Sequence, residues 1–348
     1  MASTSIWRNA LGIAVFAWVL SYCVGQARRS ARADDVLPSW NDGPSRRAIL
    51  AFLAAVTDRR APTFVEPSRR IAVFDNDGTL WAEQPLYIQL QFAIDRVQAL
   101  AAQHPEWRAQ EPFKAILAGD RQLLARMSQH DVAKLIAATH AGITTDAFDR
   151  AARRWFESAM HPRFGRLYRE CVYQPMLELL ALLRANGFRT FVVSGGGVDF
   201  MRAVAEDVYR VPPAQVIGSS GKTHFEIRDG RPVLTKLPEV SSIDDAQGKP
   251  INIHLHVGQR PILAFGNSDG DLQMLQYAAF GEQPHLALLL HHDDARREYA
   301  YDRHSPIGRL DRALDVAAKR GWTVVSMKTD WSRVFPRAPG AGRMLELR

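Results

Sequence analysis

Apolar residues recur along the chain in two patterns, as short continuous runs and as residues spaced three or four positions apart. The short runs predict β-strands. They lie at 71–74, 190–197, 215–218, 261–266, 286–290 and 323–327. Residues 223–236 alternate around Asp229 and Gly230, which is typical of a β-hairpin. Because segments of helical spacing alternate with the strands, we expect a parallel sheet covered by helices on both faces.

The first two predicted strands are separated by a segment of almost wholly helical pattern, 86–185. An unstructured loop of that length is uncommon inside a compact domain. We therefore predict an α/β fold in which a doubly wound, Rossmann-like parallel sheet forms the core and a helical cap domain is inserted after the first strand. The core would comprise 70–85 and 186–330, the cap 86–185, and a C-terminal tail 331–348.

The N-terminus has the pattern of a targeting segment. Arg8 precedes an uncharged apolar run at 11–25, and the triplet "GQA" at its end resembles a small-x-small cleavage site. We expect residues 1–27 to be a signal peptide or an uncleaved membrane anchor, and the protein to be exported, periplasmic or membrane-anchored. Basic residues after the run, beginning at Arg28, disfavour export and keep a cytoplasmic location as the alternative. Residues 28–69 would form a linker and an N-terminal helix.

Charge and cysteine content narrow the classes of partner. The net charge is +7 at pH 7, but the basic residues are scattered and form no block with interleaved aromatic residues. We expect no nucleic-acid partner and a surface that favours small anions. The two cysteines, Cys23 and Cys171, exclude a disulfide framework. The His-His-Asp-Asp run at 291–294 places neighbouring side chains in different directions, which disfavours a shared metal ion.

Polar side chains follow the predicted strands at the points where ligands bind in open parallel sheets. The first strand ends on Asp75 and Asp77, the second ends on Ser194 followed by Gly195, and a later strand leads into the acidic segment 266–271. Carboxylate, amide and hydroxyl oxygens suit a hard cation. The sequence therefore predicts a Mg²⁺ site, and the cation would offset the repulsion between Asp75 and Asp77.

Three segments resemble the motifs of a known family. The segment 75–79, Asp-Asn-Asp-Gly-Thr, resembles the first motif of the haloacid dehalogenase-like phosphohydrolases. The segment 192–195, Val-Val-Ser-Gly, is similar to the second motif, and "GNSDGDLQML" at 266–275 resembles the acidic fourth motif. Order and strand context agree over residues 70–290. The helical insertion and the "SGGG" sequence look most like the phosphoserine phosphatase-like branch.

The resemblance implies a phosphomonoester hydrolase that acts through an aspartyl-phosphate. Asp75 would be the nucleophile, and Asp77 would protonate the leaving oxygen and then activate water. Thr79 and Ser194 would hydrogen-bond the phosphoryl oxygens, together with backbone N–H groups near Gly195.

The family also implies a lysine between the second and fourth motifs. Lys249, in "GKPINI" at the start of a predicted helix, matches best. Lys222 lies in "GSSGKT", which would need Gly at position 216 to form a nucleotide phosphate loop, and that residue is Val216. Lys236, at the end of the predicted hairpin, is interpreted as a solvated side chain.

One of the metal ligands implied by the resemblance departs from the family's usual pattern. Direct contacts would come from Asp75, the carbonyl of Asp77 and Asn267, with Asp271 as a ligand or as the partner of a ligand. Asn267 stands where the family usually has Asp, and an amide oxygen binds Mg²⁺ without supplying charge. Asp269 is the alternative source of that charge, and helix capping is the alternative interpretation of both later acids.

Glu83 lies near the position where the phosphoserine branch has a substrate-contacting Glu, so it is a candidate substrate contact. A surface role is the alternative.

The leading prediction is a Mg²⁺-dependent phosphatase acting on a small phosphorylated molecule. A phosphotransferase or mutase on the same site is one alternative. A catalytically silent binding protein of the same fold is the other, and Asn267 motivates it. Substrate identity and oligomeric state do not follow from the sequence.

Overall fold

A computed structural model of the chain describes residues 36–120 and 129–337. The predicted signal peptide or anchor at 1–27 and the end of the predicted tail lie outside the described residues. Within the described part, no helix combines the length and the apolar character needed to cross a membrane. The helices and strands of the described residues belong to the compact unit Ser39–Arg348.

Helices and strands alternate through the described residues as the apolar pattern predicts. The α-helices are α1 (Pro44–Thr57), α2 (Ile88–Leu100), α3 (Phe113–Ala118), α4 (Gln129–His140), α5 (Thr145–Ser158), α6 (Gln174–Ala185), α7 (Val198–Tyr209), α8 (Gly248–Val257), α9 (Leu272–Ala278), α10 (Arg312–Arg320) and α11 (Met327–Asp330). The strands are β1 (Ile71–Phe74), β2 (Arg189–Gly197), β3 (Val216–Arg228), β4 (Arg231–Ser242), β5 (Leu263–Gly266), β6 (Leu286–Asp293), β7 (Ala300–Tyr301) and β8 (Thr323–Ser326). Short 3₁₀-helices lie at Pro67–Arg69, Pro105–Ala109, Tyr168–Glu170, Pro213–Gln215 and Asp269–Asp271.

The central sheet has the order β4-β3-β2-β1-β5-β6-β7, and β8 pairs with β6. The pairs between β3, β2, β1, β5, β6 and β8 are parallel, whereas β4 and β7 are antiparallel to their neighbours. Ile71 and Val73 of β1 pack with residues of α8, α9 and α10 in one core cluster. Ala72 and Phe74, which point to the opposite face, are also buried. The predicted fold class, a parallel-dominated α/β core with a helical insertion after the first strand, is confirmed.

The register of the sheet aligns the ends of its three central strands. Phe74, the last residue of β1, is opposite Val192 of β2 and Phe265 of β5. Because these strands are parallel, Asp75, Ser194 and Asn267 lie at the same edge of the sheet.

The inserted segment leaves and rejoins the sheet at adjacent points. The backbone N–H of Ala82 donates to the carbonyl of Cys171 at 2.9 Å. The backbone N–H of Tyr173 donates to the carbonyl of Leu80 at the same distance, 2.9 Å. Within the insertion, Phe92 of α2 packs against aromatic rings of α5 and of α7, so the inserted helices are anchored on the core.

One helix of the predicted cap packs against the core. The predicted cap, 86–185, includes α6, but α6 packs against β2 of the sheet. Its first turn also accepts a hydrogen bond from the core, since Trp40 Nε1 donates to the carbonyl of Pro175 at 3.0 Å. The predicted tail begins with Trp331, which is buried against Trp40. Helical periodicity shows that one face of α6 is apolar but does not show which surface covers it.

The predicted hairpin is present and contacts the inserted helices. Asp229 and Gly230 form its turn with φ values of 52° and 74°, the left-handed conformation that a two-residue hairpin turn needs. The backbone N–H of Lys236 in β4 donates to the carbonyl of Ile143 at 2.9 Å, and the N–H of Gly142 donates back to Lys236 at 2.9 Å. The hairpin therefore closes one side of the space between the insertion and the sheet.

Candidate active site

The four residues predicted to be catalytic meet at the carboxyl end of β1. Asp75 follows β1 directly, and its backbone N–H donates to the carbonyl of Phe265 in β5 at 2.9 Å. Ser194 lies in β2, and Lys249 lies in the first turn of α8. These three side chains are buried. Asp77 joins them through a hydrogen bond from Ser194.

Lys249 connects two carboxylates that are far apart in the sequence. Its Nζ donates to Asp75 Oδ1 and to Asp271 Oδ1, each at 2.6 Å, and to the carbonyl of Val193 at 2.9 Å. Burial alone would lower the pKa of Lys249, but the adjacent carboxylates of Asp271 and Asp75 raise it. The pKa of Asp75 is raised well above its usual value by burial and by Asp271, against the opposing effect of Lys249. The two carboxylates therefore favour the ammonium form of Lys249 beside Asp75.

Both oxygens of Asp77 are held by donors. Trp81 Nε1 donates to Oδ1 at 2.9 Å, and Ser194 Oγ donates to Oδ2 at 3.3 Å. The backbone N–H of Gly196 donates to Ser194 Oγ at 3.1 Å and fixes that hydroxyl. Burial raises the pKa of Asp77, while the bonds from Trp81 and Ser194 oppose the rise. Gly195, a predicted phosphate contact, lies between Ser194 and Gly196 in the chain and is exposed.

Both polar atoms of the Asn267 side-chain amide form hydrogen bonds. Thr79 Oγ donates to Asn267 Oδ1 at 3.0 Å, and Asn267 Nδ2 donates to Glu83 Oε1 at 2.7 Å. Thr79 is fully buried, so its hydroxyl orients Asn267 in this structure. Its predicted contact with phosphate stays a prediction.

The two later acids have different surroundings. Asp271 Oδ2 accepts hydrogen bonds from the backbone N–H groups of Asn267 and Ser268 at 2.9 and 3.0 Å, and from Ser268 Oγ at 3.2 Å. Its other oxygen, Oδ1, accepts a hydrogen bond from Lys249. Asp271 therefore fixes both the lysine and the loop that contains Asn267 and Ser268. Asp269 Oδ1 accepts from the backbone N–H groups of Asp311 and Ala313 at 3.0 and 2.8 Å. Asp269 therefore caps α10 and does not replace the charge missing at Asn267.

A magnesium ion fits the donor chemistry of this cluster. Among the described residues, no group of three or more His, Cys, Asp or Glu side chains has the arrangement of a metal site. Asp75, the carbonyl of Asp77 and the amide of Asn267 nevertheless offer the oxygen ligands that Mg²⁺ prefers. Burial raises the pKa of Asp75, Asp77 and Glu83, because an ionised carboxylate is costly away from water. A divalent cation would stabilise their ionised forms.

Glu83 is buried and belongs to a contact set that sequence reasoning missed. Besides Asn267, Tyr301 donates its hydroxyl to Glu83 Oε1 at 2.8 Å. The Tyr301 ring stacks on His292 at 4.3 Å between centroids, and His292 Nε2 donates to the carbonyl of Gly78 at 2.7 Å. His292 and Tyr301 are paired across β6 and β7. The two-residue strand β7 has no periodic signal, so the sequence offers no sign of this contact.

The prediction that Lys236 is a solvated side chain is wrong. Lys236 is 8% exposed, pairs with the carboxylate of Asp199 in α7 and lies over the ring of Phe148 at 4.8 Å. It is buried because α4 and α5 pack against β4. Lys222 is exposed on β3.

A cavity of about 200 Å³ opens beside Gly195 and Gly197. Its exposed wall is mainly apolar, from side chains of α4, α5, α7 and β4. The polar and charged side chains in the lining include Gln89, His140, Asp199, Lys236 and Glu239. Burial lowers the pKa of His140 to about 3, so this ring is neutral. The cavity therefore offers a small, mainly apolar space next to the carboxylate cluster.

The run at 291–294 does not gather around one point. His291 contacts Asp302, and His292 contacts Gly78. Asp293 accepts hydrogen bonds from Ser326 of β8 and from the backbone N–H of Lys328 in α11, and Asp294 accepts from the backbone N–H groups of residues 296 and 297.

The sequence matches the profile of a known protein family. A sequence profile of the haloacid dehalogenase-like hydrolases matches residues 72–276, more than half of the chain. Among curated proteins, none matches significantly.

The solved structures that match the chain are distant from it in sequence. A conserved protein of unknown function from Anaerococcus prevotii is 16% identical over 72% of this chain and 86% of its own, with a TM-score of 0.49. A phosphoserine phosphohydrolase-like protein from Francisella tularensis is 15% identical over 72% of this chain and 98% of its own, with a TM-score of 0.37. A probable phosphoserine phosphatase from Vibrio cholerae is 15% identical over 74% of this chain and 67% of its own, with a TM-score of 0.36.

Proposed function

The chain belongs to the haloacid dehalogenase-like hydrolase family, and we propose that it is a Mg²⁺-dependent phosphomonoesterase that acts through an aspartyl-phosphate. The observation that carries this proposal is the convergence of Asp75, Asp77, Ser194 and Lys249 at the end of β1. A carboxylate nucleophile, a second carboxylate two positions on and a buried ammonium provide the attack, proton transfer and charge stabilisation that phosphoryl transfer needs.

In the first step, a carboxylate oxygen of Asp75 attacks phosphorus, and the bond from phosphorus to the leaving oxygen breaks. Asp77 in its protonated form gives its proton to that oxygen, and burial favours this form by raising the pKa of Asp77. In the second step, ionised Asp77 takes a proton from water, whose oxygen attacks phosphorus and releases phosphate from Asp75. The hydrogen bonds from Trp81 and Ser194 stabilise the ionised carboxylate for this second role.

The remaining site residues bind and orient. Ser194 and the backbone at Gly195 would hold phosphoryl oxygens, and Lys249 would offset their charge. Thr79, through its hydrogen bond to Asn267, would orient that amide. Mg²⁺ would be held by Asp75, the carbonyl of Asp77 and Asn267, and when bound it would neutralise charge on the phosphoryl group.

The substrate is proposed to be a small phosphorylated metabolite. The cavity of about 200 Å³ beside Gly195 would receive the leaving group. Its mainly apolar lining favours a leaving group with an apolar surface over a strongly charged one.

A catalytically silent binding protein is the alternative, because Asn267 lacks the charge expected at a metal ligand. The test is hydrolysis of p-nitrophenyl phosphate, and of a panel of alkyl phosphates, with Mg²⁺ and with a chelator. Wild type should hydrolyse them only with Mg²⁺, and D75N should be inactive. D229N is the matched control, because Asp229 is exposed at the hairpin turn, and it should retain wild-type activity.

Inactive wild type across the panel, or full activity in D75N, would overturn the phosphatase proposal. Activity that appears only in N267D would favour the silent binding protein.

A further inference from the structure

The amide of Asn267 and the carboxylate of Glu83 are in direct contact although 184 positions separate them. Thr79 donates to Oδ1 of Asn267, which leaves Nδ2 facing Glu83 Oε1 at 2.7 Å. A neutral amide at position 267 therefore lies against a buried carboxylate. An aspartate at position 267 would instead place a second negative charge there.

The backbone around Glu83 is closely fitted to it. A Cβ on Gly78 would lie 2.2 Å from Glu83 Oε1 and 2.1 Å from Asn267 Nδ2. A Cβ on Gly308 would lie 2.0 Å from the same Glu83 oxygen. Tyr301 donates to that oxygen from a third side. Glycines from two separate segments and a tyrosine thus fix the carboxylate against Asn267.

We propose that Glu83 supplies, across its hydrogen bond to Asn267, the negative charge that an aspartate at position 267 would bring to the Mg²⁺ site. This inference rests on the proposed function, because it concerns the metal of that site. Glu83 and Asn267 form an exchangeable unit of one carboxylate and one amide, and a bound cation would stabilise the ionised form of that carboxylate, with a total charge of −1. Glu83 is a positioning residue that acts through Asn267, rather than the substrate contact that its place in the sequence predicts.

The geometry separates the two roles. Glu83 is 2% exposed, and its Oε1 already accepts hydrogen bonds from Asn267 and Tyr301. A carboxylate that accepts a hydrogen bond from Nδ2 polarises the amide and increases the negative charge on Oδ1, which makes Oδ1 a stronger ligand for a cation.

Exchange of the two side chains tests the unit directly. The four proteins are wild type, E83Q, N267D and the double variant E83Q/N267D, which restores the total charge of −1 with the polarity of the hydrogen bond reversed. Mg²⁺ affinity is measured by calorimetry, and the melting temperature is measured in chelator. E178Q is the matched control, because Glu178 lies on α6 and bonds Ser39, away from the site.

E83Q should bind Mg²⁺ roughly 10- to 100-fold more weakly, the range typical for partners of metal ligands. E178Q should bind as wild type does. N267D should melt at a lower temperature in chelator, because two carboxylates then face each other. E83Q/N267D should recover most of the wild-type Mg²⁺ affinity and most of the wild-type melting temperature in chelator. If N267D does not fold, the Mg²⁺ affinities of E83Q and of the double variant still test whether the two side chains act as a unit.

Wild-type affinity in E83Q, or a double variant that binds no better than E83Q, would overturn this inference while the phosphatase proposal stands. A wild type that neither binds Mg²⁺ nor hydrolyses phosphate esters would instead overturn the proposed function, and this inference with it.

Discussion

The ammonium of Lys249 lies 2.6 Å from a carboxylate oxygen of Asp75, and 174 positions separate the two residues. The same ammonium lies 2.6 Å from Asp271, so one positive charge serves two buried carboxylates. Removal of either partner of a buried ion pair costs far more than loss of an exposed pair. Lys249 is therefore expected to support both the structure and the chemistry of the site.

The substitution K249M removes the charge and keeps most of the side-chain volume. We expect the free energy of unfolding to fall by roughly 3–5 kcal/mol, because Asp75 and Asp271 lose their buried partner. We expect kcat to fall by at least about 100-fold, because positive charge beside the phosphoryl group is lost. Chemical denaturation and phosphate-release kinetics measure the two effects on the same protein.

K222M is the matched control, since Lys222 is an exposed lysine on β3. Its unfolding free energy and its kcat should stay near those of wild type. A K249M enzyme with wild-type kcat would contradict the role given to the ammonium, whatever its stability.

The proton transfer assigned to Asp77 predicts a dependence on the leaving group. An alkoxide needs a proton to leave, whereas p-nitrophenolate leaves without one. D77N should therefore lose far more kcat/KM with an alkyl phosphate than with p-nitrophenyl phosphate, because kcat/KM reports the first chemical step. Steady-state kinetics on both substrates provide the test. An equal loss on both would contradict the role of Asp77 as the general acid.

The sequence was sufficient to predict Asp75, Asp77, Ser194 and Lys249 as neighbours. Each of the first three follows or ends a short apolar run, and the ends of parallel strands share one edge of the sheet. Lys249 was predicted from the resemblance to a family, because no local pattern in the sequence indicates its role.

The contacts of Glu83, Lys236 and Tyr301 could not be predicted, for a common physical reason. Each is buried by an element distant in sequence: Tyr301 reaches Glu83 from β7, and the inserted helices cover Lys236 on β4. Local periodicity shows that a face is apolar, but an isolated polar residue carries no signal of what will cover it. The position of α6 on the sheet escaped prediction in the same way.

Asp244 gives a prediction about pH and stability. Its side chain is fully buried and accepts a hydrogen bond from Asn252 at 2.9 Å, and burial raises its pKa to about 6. In the unfolded chain an aspartate has a pKa of about 3.9. Between these values the folded protein binds the extra proton, so Asp244 makes stability fall as pH rises towards about 6.

D244N removes this titration. The difference in unfolding free energy between D244N and wild type should rise in favour of the variant from about pH 4 to about pH 6 and stay constant above that. The expected change is about 3 kcal/mol, since each pH unit between the two pKa values is worth roughly 1.4 kcal/mol. Denaturation at several pH values measures it, and other titrating groups cancel in the difference. A difference independent of pH would contradict the prediction.

Gly78 and Gly258 form a pair that separates backbone strain from steric conflict. Their φ values, 73° and 72°, are nearly the same, so an alanine at either position adopts the same left-handed conformation, at a cost of about 1–2 kcal/mol. A Cβ at Gly258 meets nothing within 4 Å, whereas one at Gly78 would lie 2.1 Å from Asn267 Nδ2. G78A should therefore lose an additional 1–3 kcal/mol or so of unfolding free energy, the usual cost of overpacking. It should also lose Mg²⁺-dependent activity, because Asn267 must move, while G258A retains it. Equal losses of stability and activity in the two variants would show that the space around Asn267 is not restrictive.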